Sequence, residues 1–244
     1  MMNVWGMTDI GLIRSENQDA YAVRAEDGFT VCVVCDGMGG PGGGRLASSL
    51  AVDAFLSSCM ANLRPDMTAQ QVQEVAEFAV AAANTAVYER SVRDGQRGMG
   101  TTLVSAVAWG EQALLSNVGD SRAYVIRSGG DGISRVTKDH SLVERLVDKG
   151  AITAEEARSY PGRNLITRAL GPDPEALSDS YLIDLRPGDY LLLCTDGLVA
   201  TATDQEMERE ILRGDDNACL DRLLDIARGQ GAPDNVTAVL LRQQ

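Results

Sequence analysis

Residues 29–44, FTVCVVCDGMGGPGGG, place a strand-like run directly before a glycine-rich segment. The β-branched and apolar residues Thr30–Cys35 predict a buried strand. Two long stretches with helical spacing follow, Leu46–Leu63 and Ala69–Val92, and no strand lies between them. A doubly wound parallel sheet would require a strand there, so this order favours the α+β class, with antiparallel sheets covered by helices.

Further runs rich in β-branched and apolar residues have the length of strands: Thr101–Trp109, Ala113–Val118, Ala123–Arg127, Tyr190–Cys194 and Val236–Leu241. Shorter helices are predicted at Ser141–Lys149 and Asn217–Gly229. The capping-box spacing of Thr153 with Glu156, and of Thr203 with Glu206, predicts two more helix starts. Pro, Gly and Asn recur throughout Pro161–Pro174, which predicts an irregular, mobile surface segment.

Length and composition favour one domain, residues 1–244. A chain of 244 residues with 44% hydrophobic content can bury a full core, and no Pro- or Ser-rich linker or internal repeat divides it. The formal net charge of -13 argues against nucleic acid and anionic membranes as partners, because both require clustered Lys and Arg. No signal peptide and no apolar run of about 18 residues is visible, so we expect a cytoplasmic protein. We also expect a monomer.

Cysteine usage agrees with a reducing compartment, because five cysteines are an odd number and do not favour a disulfide framework. Cys32 and Cys35 form a C-x-x-C pair on the predicted strand Thr30–Cys35. Residues three apart on a strand face opposite sides. We therefore interpret this pair as core packing and not as a redox or zinc site.

Three acidic residues adjoin predicted strands: Asp36 after Thr30–Cys35, Asp196 after Tyr190–Cys194 and one Thr, and Asp234 before Val236–Leu241. Asp-Gly is ordinarily a turn signal, yet a carboxylate at the end of a buried strand is unfavourable unless a charged partner meets it. If the strands of Asp36 and Asp196 are neighbours, the two carboxylates meet and their repulsion requires a cation. An all-oxygen set of this kind predicts a magnesium or manganese site.

Arg14 and Asp19 begin and end RSENQD, residues 14–19, which alone is an ordinary polar loop. A guanidinium near a pair of metal ions would supply the planar, bidentate contact that a phosphate dianion favours. Arg14 is therefore a candidate phosphate-binding residue.

Eight short motifs in a fixed order carry a family resemblance. They are Arg14 with Asn17-Gln18-Asp19, Val34–Gly40 (VCDGMGG), Gly100–Leu103 (GTTL), Asn117–Arg122 (NVGDSR), Lys138–Ser141 (KDHS), Thr167–Gly171 (TRALG), Cys194–Leu198 (CTDGL) and Pro233–Thr237 (PDNVT). Each is weak alone, but together they cover nearly the whole chain. The sequence resembles the bacterial branch of the type 2C metal-dependent Ser/Thr protein phosphatases, the PPM family.

The resemblance implies a four-layer α-β-β-α sandwich, two antiparallel sheets flanked by helices, with metal ions in a cleft at one end. It implies that two Mn²⁺ or Mg²⁺ ions are held by a bridging Asp36, the carbonyl of Gly37, Asp196, Asp234 and, directly or through water, Asp19. Asp120 would help hold a third, weaker ion. Arg14 would clamp the substrate phosphate, and residues 141–171 would form a flap subdomain beside the cleft.

The implied function is removal of phosphate from phosphoserine and phosphothreonine in proteins, specifically those phosphorylated by a bacterial Ser/Thr kinase. Two cations roughly 3.5–4 Å apart lower the pKa of a shared water toward neutrality. We expect the resulting hydroxide to attack phosphorus in line with the leaving oxygen, while Arg14 offsets charge on the phosphoryl oxygens. No covalent enzyme intermediate is needed.

Two positions depart from the family pattern. Where bacterial members usually carry a His that helps to protonate the leaving group, this chain has Pro41. Where they commonly carry an acid a few residues later, it has Arg45. A positioned general acid contributes about 10²–10⁴ in rate, so we expect slow turnover on alkyl phosphates and better turnover on activated aryl phosphates. The single histidine, His140, belongs to another motif, and we interpret it as structural or associated with the flap.

Two other functions remain open from the sequence. Residues 37–42 fit the dinucleotide fingerprint G-x-G-x-x-G of an NAD-binding oxidoreductase. Asp36 would then lie beside the pyrophosphate, and a second helix follows where a βαβ unit demands a strand, so this function is disfavoured. The other is a phosphoprotein-binding module that keeps the fold but lost turnover through Pro41 and Arg45. The retained acidic residues favour an enzyme.

Overall fold

Two antiparallel sheets form the centre of the protein. The computed structural model describes the chain except for residues 1, 41, 97 and 131 and the side chains of residues 158 and 159. One sheet has the strand order β1 (Met2–Asp9), β11 (Val236–Gln243), β10 (Tyr190–Cys194), β7 (Arg122–Arg127) and β8 (Gly132–Arg135). The other has the order β2 (Asp19–Glu26), β3 (Phe29–Met38), β5 (Leu103–Trp109), β6 (Gln112–Val118) and β9 (Asp179–Asp184), and the short β4 (Gly100–Thr101) pairs with β3.

Helices cover the outer face of each sheet. The sheet that contains β3 packs against α1 (Gly43–Asn62) and α2 (Ala69–Arg93), and the sheet that contains β10 packs against α6 (Asp204–Ile211) and α7 (Cys219–Gly229). The remaining short helices are α3 (Leu142–Asp148), α4 (Ala154–Ser159), α5 (Asp196–Val199) and a 3₁₀ turn at Asp216–Ala218. Both capping boxes form as predicted, at the starts of α4 and α6.

Alternation along β3 divides the interior into layers. Val31, Val33 and Cys35 face the core beneath α1 and α2, whereas Cys32 and Val34 face the core between the two sheets. The two cysteines therefore lie on opposite sides of the strand, and the core-packing interpretation is confirmed. With a third core beneath α6 and α7, the molecule is the predicted four-layer α-β-β-α sandwich.

The strands missed from the sequence are the four edge strands, β1, β2, β8 and β9. An edge strand is covered on fewer sides, so it needs fewer consecutive apolar residues and gives a weaker signal. The predicted strand Thr101–Trp109 is also divided, at Thr102. The backbone N–H of Thr102 donates to the carbonyl of Asp36 at 2.9 Å, and the hydroxyl of Thr102 accepts from the N–H of Asp36 at 2.9 Å.

The strands next to Asp36 and Asp196 are not neighbours in one sheet. Asp36 lies within β3, two residues before its end, and Asp196 is the first residue of α5, after β10. Because β3 and β10 belong to different sheets, the two acids approach each other across the sandwich. The side-by-side arrangement considered from the sequence is therefore wrong, although the convergence that it was meant to explain does occur.

Residues 141–171 leave the body of the sandwich after the loop that follows β8. They contain α3, α4 and most of the irregular segment predicted at Pro161–Pro174, in which Ile166 forms an isolated bridge to Ser141 and Leu170 forms one to Thr101. In the described part of the chain, no helix has the length and apolar character needed to cross a membrane.

Candidate metal and phosphate site

A cleft of about 480 Å³ opens where β3 and β10 end and β11 begins. Six predicted site residues line it: Arg14, Asp36, Gly37, Asp120, Asp196 and Asp234. The seventh, Asp19, lies beneath the lining and is 8% exposed. A smaller depression of about 340 Å³ beside α1 and α2 has one carboxylate in its lining, Glu89, so of these two cavities the larger cleft is the one that gathers acids.

The backbone of Asp36 is fixed by Thr101 and Thr102, which lie where β4 ends and before β5 begins. Besides the two hydrogen bonds to Thr102, the hydroxyl of Thr101 donates to the carbonyl of Asp36 at 2.8 Å. These contacts hold the end of β3 in place while the carboxylate faces the cleft, half-buried. The GTTL motif therefore positions Asp36.

Asp19 pairs directly with Asp36 in the register of β2 and β3. The hydroxyl of Thr195 donates to Oδ2 of Asp19 at 2.9 Å. Thr195 directly precedes α5, so this bond joins the two sheets beneath the cleft. Two acids on neighbouring strands thus meet a third acid, Asp196, from the opposite sheet.

Asp196 approaches Asp36 across the sandwich, and the charge of Asp196 helps to raise the pKa of Asp36. Gly197 lets the start of α5 lie close to Asn235, because a Cβ on Gly197 would come within 2.0 Å of the carbonyl oxygen of Asn235. Two carboxyl groups brought together in this way require a proton or a cation between them.

Asp234 pairs with Arg14 at the mouth of the cleft. Nη2 of Arg14 donates to Oδ2 of Asp234 at 2.7 Å, and this carboxylate raises the pKa of the guanidinium. The neighbouring Asn235 organises the loop that carries Arg14: its amide donates to the carbonyls of Ile10 and Glu16, and its side-chain oxygen accepts from the N–H of Gln18. Sequence reasoning missed Asn235, whose only signal was its place in the PDNVT motif.

Gly37 lies where α1 approaches β3. A Cβ at this position would come within 2.0 Å of the carbonyl oxygen of Gly44 and 2.6 Å of that of Gln18. No side chain fits, so the backbone of Gly37 itself lines the cleft. On another wall, Asp120 follows β6; burial and then the charges of Asp196 and Asp139 raise its pKa to about 7.

Burial and mutual repulsion raise the pKa values of the cleft carboxylates. Burial, followed by the charges of Asp196 and Asp234, raises the pKa of Asp19 to about 7, although the hydroxyls of Thr237 and Thr195 oppose this rise. The pKa of Asp36 lies well above its usual value, through burial and the charges of Asp19 and Asp196. Burial and then Asp234 raise the pKa of Asp196. A cluster of this kind takes up protons or cations.

The donor atoms fit a hard divalent cation. Among the described residues, no donor reaches the buried Oδ1 atoms of Asp19 and Asp196, and the side-chain atoms of the acidic cluster that can bind a cation are all oxygens, as Mg²⁺ and Mn²⁺ prefer. No three His, Cys, Asp or Glu side chains in the described ranges stand in complete metal-binding geometry. In this structure Asp234 pairs with Arg14, and Asp36 and Asp196 face each other. The set therefore fits cations provided that these two contacts open.

His140 lies outside the cleft lining and is 7% exposed. Its Nδ1 accepts from the N–H of Gly119 at 3.1 Å, so the ring proton lies on Nε2, which faces Asp179 at 3.1 Å. Arg168 contacts both His140 and Asp179. The imidazole thus joins the Gly119 turn to residues 141–171 and β9.

The two departures from the family pattern differ in what the structure shows. Pro41 lies outside the described residues. Arg45 is exposed in the first turn of α1, with its Nε 3.9 Å from Oε1 of Glu16. Glu16 also accepts from the N–H of Gly42, so the charge at Arg45 meets an acid at the cleft wall.

Comparisons with known proteins show the family and the fold of this chain. The Protein phosphatase 2C family model matches residues 14–240. The Ser/Thr phosphatase stp of Listeria innocua is 35% identical over 243 residues, covering 97% of this chain and 94% of that protein. A Ser/Thr phosphatase structure from S. agalactiae has a TM-score of 0.92 at 30% identity and covers 100% of both chains. The catalytic domain of the phosphatase PstP, solved with two manganese ions, has a TM-score of 0.84 at 32% identity, covering 99% of this chain and 97% of that one.

The chain belongs to the protein phosphatase 2C family. The predicted resemblance, the fold and the enzyme class, a protein serine/threonine phosphatase that depends on Mn²⁺ or Mg²⁺, are confirmed. Its substrates are phosphorylated proteins. The dinucleotide-binding hypothesis is wrong, because residues 37–42 lead into two successive helices and not a βαβ unit. The binding-module alternative is disfavoured by the same comparisons.

Proposed function

We propose that the cleft binds two Mn²⁺ or Mg²⁺ ions through the residues predicted from the sequence: Asp19, Asp36, Gly37, Asp196 and Asp234. Asp36 would hold both ions, because it lies between Asp19 on β2 and Asp196 at the start of α5. Asp120, on the remaining wall, contributes to a third and weaker site. The observation that carries this proposal is the convergence of four acids from both sheets on one cleft.

Arg14 is proposed to bind the substrate phosphate. Its side chain is about half exposed, at 55%, and lines the cleft beside Asp234. Once Asp234 serves a cation, the guanidinium is free to present its planar pair of donors to a phosphate dianion. A guanidinium is charged at every physiological pH, and the neighbouring Asp234 raises its pKa further.

The protein's contribution to the reaction is orientation and charge compensation. Bound in this cleft, the ions would supply a water with a pKa near neutrality. Arg14 holds the phosphoryl oxygens and offsets the charge that gathers on them as the bond to the serine or threonine oxygen breaks. Thr195 holds the carboxylate of Asp19, and Thr101 and Thr102 hold the backbone of Asp36.

No imidazole lies in the described cleft lining to protonate the leaving group. The single histidine bonds to Gly119 and Asp179 and does not line the cleft. A serine or threonine alkoxide needs a proton far more than an aryl oxide does. We therefore propose that aryl phosphates turn over faster than alkyl phosphates.

Residues 141–171 are proposed to act as a flap subdomain of a single catalytic domain, 1–244. Asn164 and Ile166 from this segment line the cleft, so it contacts whatever binds there. The substrates are proposed to be those of a bacterial Ser/Thr kinase, in keeping with relatives from bacteria. We propose a cytoplasmic monomer, in which all five cysteines stay free and buried.

Manganese-dependent hydrolysis of p-nitrophenyl phosphate tests the proposal. Asp36→Asn and Asp234→Asn should each lower kcat by at least about 10², because each removes a cation ligand. Asp94→Asn is the matched control, since it removes the same charge at the exposed end of α2 and should leave kcat unchanged. Equal rates for Asp36→Asn and the wild type would contradict the assignment of the cleft.

A further inference from the structure

Three exposed apolar side chains directly precede Arg14. Ile10, Leu12 and Ile13 are 40%, 60% and 72% exposed. They lie within four consecutive positions of the loop between β1 and β2, just outside the cleft lining. Scattered apolar residues on a surface need no explanation, but a group beside a binding site points to a contact.

The loop that carries these side chains is held firmly by its backbone. The N–H of Leu12 donates to the carbonyl of Ala232 at 2.9 Å, and the amide of Asn235 donates to the carbonyl of Ile10 at 2.9 Å. Gly11 has φ +77, and a Cβ there would come within 2.3 Å of the carbonyl oxygen of Asp234. The apolar side chains are therefore presented to solvent by a fixed backbone.

We infer that Leu12 and Ile13 form a docking surface, the apolar rim, for an apolar side chain of the phosphoprotein substrate. This inference rests on the proposed role of Arg14. Consecutive Cα atoms are about 3.8 Å apart, so a rim that begins one residue from the phosphate-binding arginine reaches substrate positions one or two residues from the phosphoresidue. The apolar rim thus favours Leu, Ile, Val, Met or Phe at a flanking position.

A second copy of this chain is the less suitable occupant. A stable interface buries about 800 Å² on each partner, whereas the apolar rim consists of a few side chains in one short loop. A flanking substrate residue needs only a contact of that size, and the phosphate on Arg14 supplies the rest of the binding. Continuity with the phosphate site therefore selects the substrate.

The test compares kcat/KM for a phosphothreonine peptide with Leu at the two positions on each side against the same peptide with Ser there. The wild type should prefer the Leu peptide by about tenfold, the low end for an apolar pocket because the rim is open. The double variant Leu12→Ser/Ile13→Ser should lose this preference and keep its rate on p-nitrophenyl phosphate, which has no flanking residues. Phe78→Ser, at 62% exposure on α2, is the matched control and should keep the preference.

Two outcomes would overturn the inference about the apolar rim and leave the proposed function intact. They are equal wild-type rates on both peptides, and a preference for the Leu peptide that survives in the double variant. A changed elution volume of the double variant with an unchanged peptide preference would assign the rim to a second copy, which also overturns the inference. Failure of the wild type on p-nitrophenyl phosphate with manganese would instead overturn the proposed function.

Discussion

Replacing Asp19 by Asn should stabilise the metal-free protein and weaken its response to manganese. Asp19 is buried opposite Asp36, and its Oδ2 accepts from Thr195 at 2.9 Å. Asn keeps the shape and one acceptor for that hydroxyl. It removes a charge from the cluster and adds an amide donor toward the remaining carboxylates.

The size of the effect follows from the pKa of Asp19, which rises from 3.8 to about 7. For an acid whose pKa is higher in the folded state, its contribution to stability is fully present below pH 3.8 and is lost as the pH rises through about 7. A difference of about 3 in pKa corresponds to at most about 4 kcal/mol at pH 7.5. Burying the Asn amide also costs free energy. We therefore expect Asp19→Asn to raise the free energy of unfolding at pH 7.5 by about 2 kcal/mol, which corresponds to about 4–8 °C in Tm.

Urea unfolding in EDTA at pH 4 and pH 7.5 measures this change, and melts with manganese measure the response to metal. Asp19→Asn should match the wild type at pH 4, exceed it at pH 7.5, and gain less from manganese. Asp189→Asn is the control. Asp189 is 3% exposed; burial alone would raise the pKa of this carboxyl, but the hydrogen bond from Arg127 lowers it. Asp189→Asn should lower the free energy of unfolding at pH 7.5 and leave the stabilisation by manganese unchanged. An Asp19→Asn protein less stable than the wild type at pH 7.5 in EDTA, with an unchanged manganese response, would refute the reasoning.

Other perturbations separate the roles of the remaining residues. Arg14→Lys keeps the charge but loses the bidentate donors, so kcat/KM for p-nitrophenyl phosphate should fall about 100-fold with manganese binding retained; loss of manganese binding would contradict a phosphate role. Manganese affinity, measured by calorimetry, should fall below about pH 7 by about tenfold per pH unit for each proton released, because the pKa values of Asp19 and Asp120 are both raised to about 7; an affinity independent of pH between 5.5 and 8 would count against this. His140→Ala should keep every limb of the pH–rate profile, and a limb near pH 6.5 that disappears would identify His140 as the acid. Pro41→His should raise kcat on a phosphothreonine peptide by about 10–100-fold while p-nitrophenyl phosphate stays unchanged; equal gains on both substrates would exclude general-acid rescue.

The interior of the fold was predictable because buried strands need continuous apolar residues. Thr30–Cys35 and Tyr190–Cys194 gave strong signals and lie inside β3 and β10. The edge strands gave weak signals, since one side of each is only partly covered. β1, for example, contains Gly6, and a Cβ there would meet the ring of Tyr21 at 2.4 Å. Such packing is invisible until β2 is in place.

The acidic residues of the site were predictable individually, but the way in which they meet was not. Asp36 and Asp196 belong to opposite sheets, and no local pattern encodes contact across a sandwich. The same holds for residues that only position others. Thr195 and Asn235 give ordinary polar signals in sequence, and their roles arise from hydrogen bonds to partners 176 and 217 positions away, Asp19 and Gln18.

Anomalous diffraction from crystals soaked in manganese tests the central claim most directly. Two strong peaks about 3.5–4 Å apart are expected, with Asp36 between them and Asp196 and Asp234 turned toward them, and with Arg14 released from Asp234. Manganese peaks at full occupancy elsewhere on the surface, with Asp36 still facing Asp196 in the cleft, would contradict a binuclear centre here.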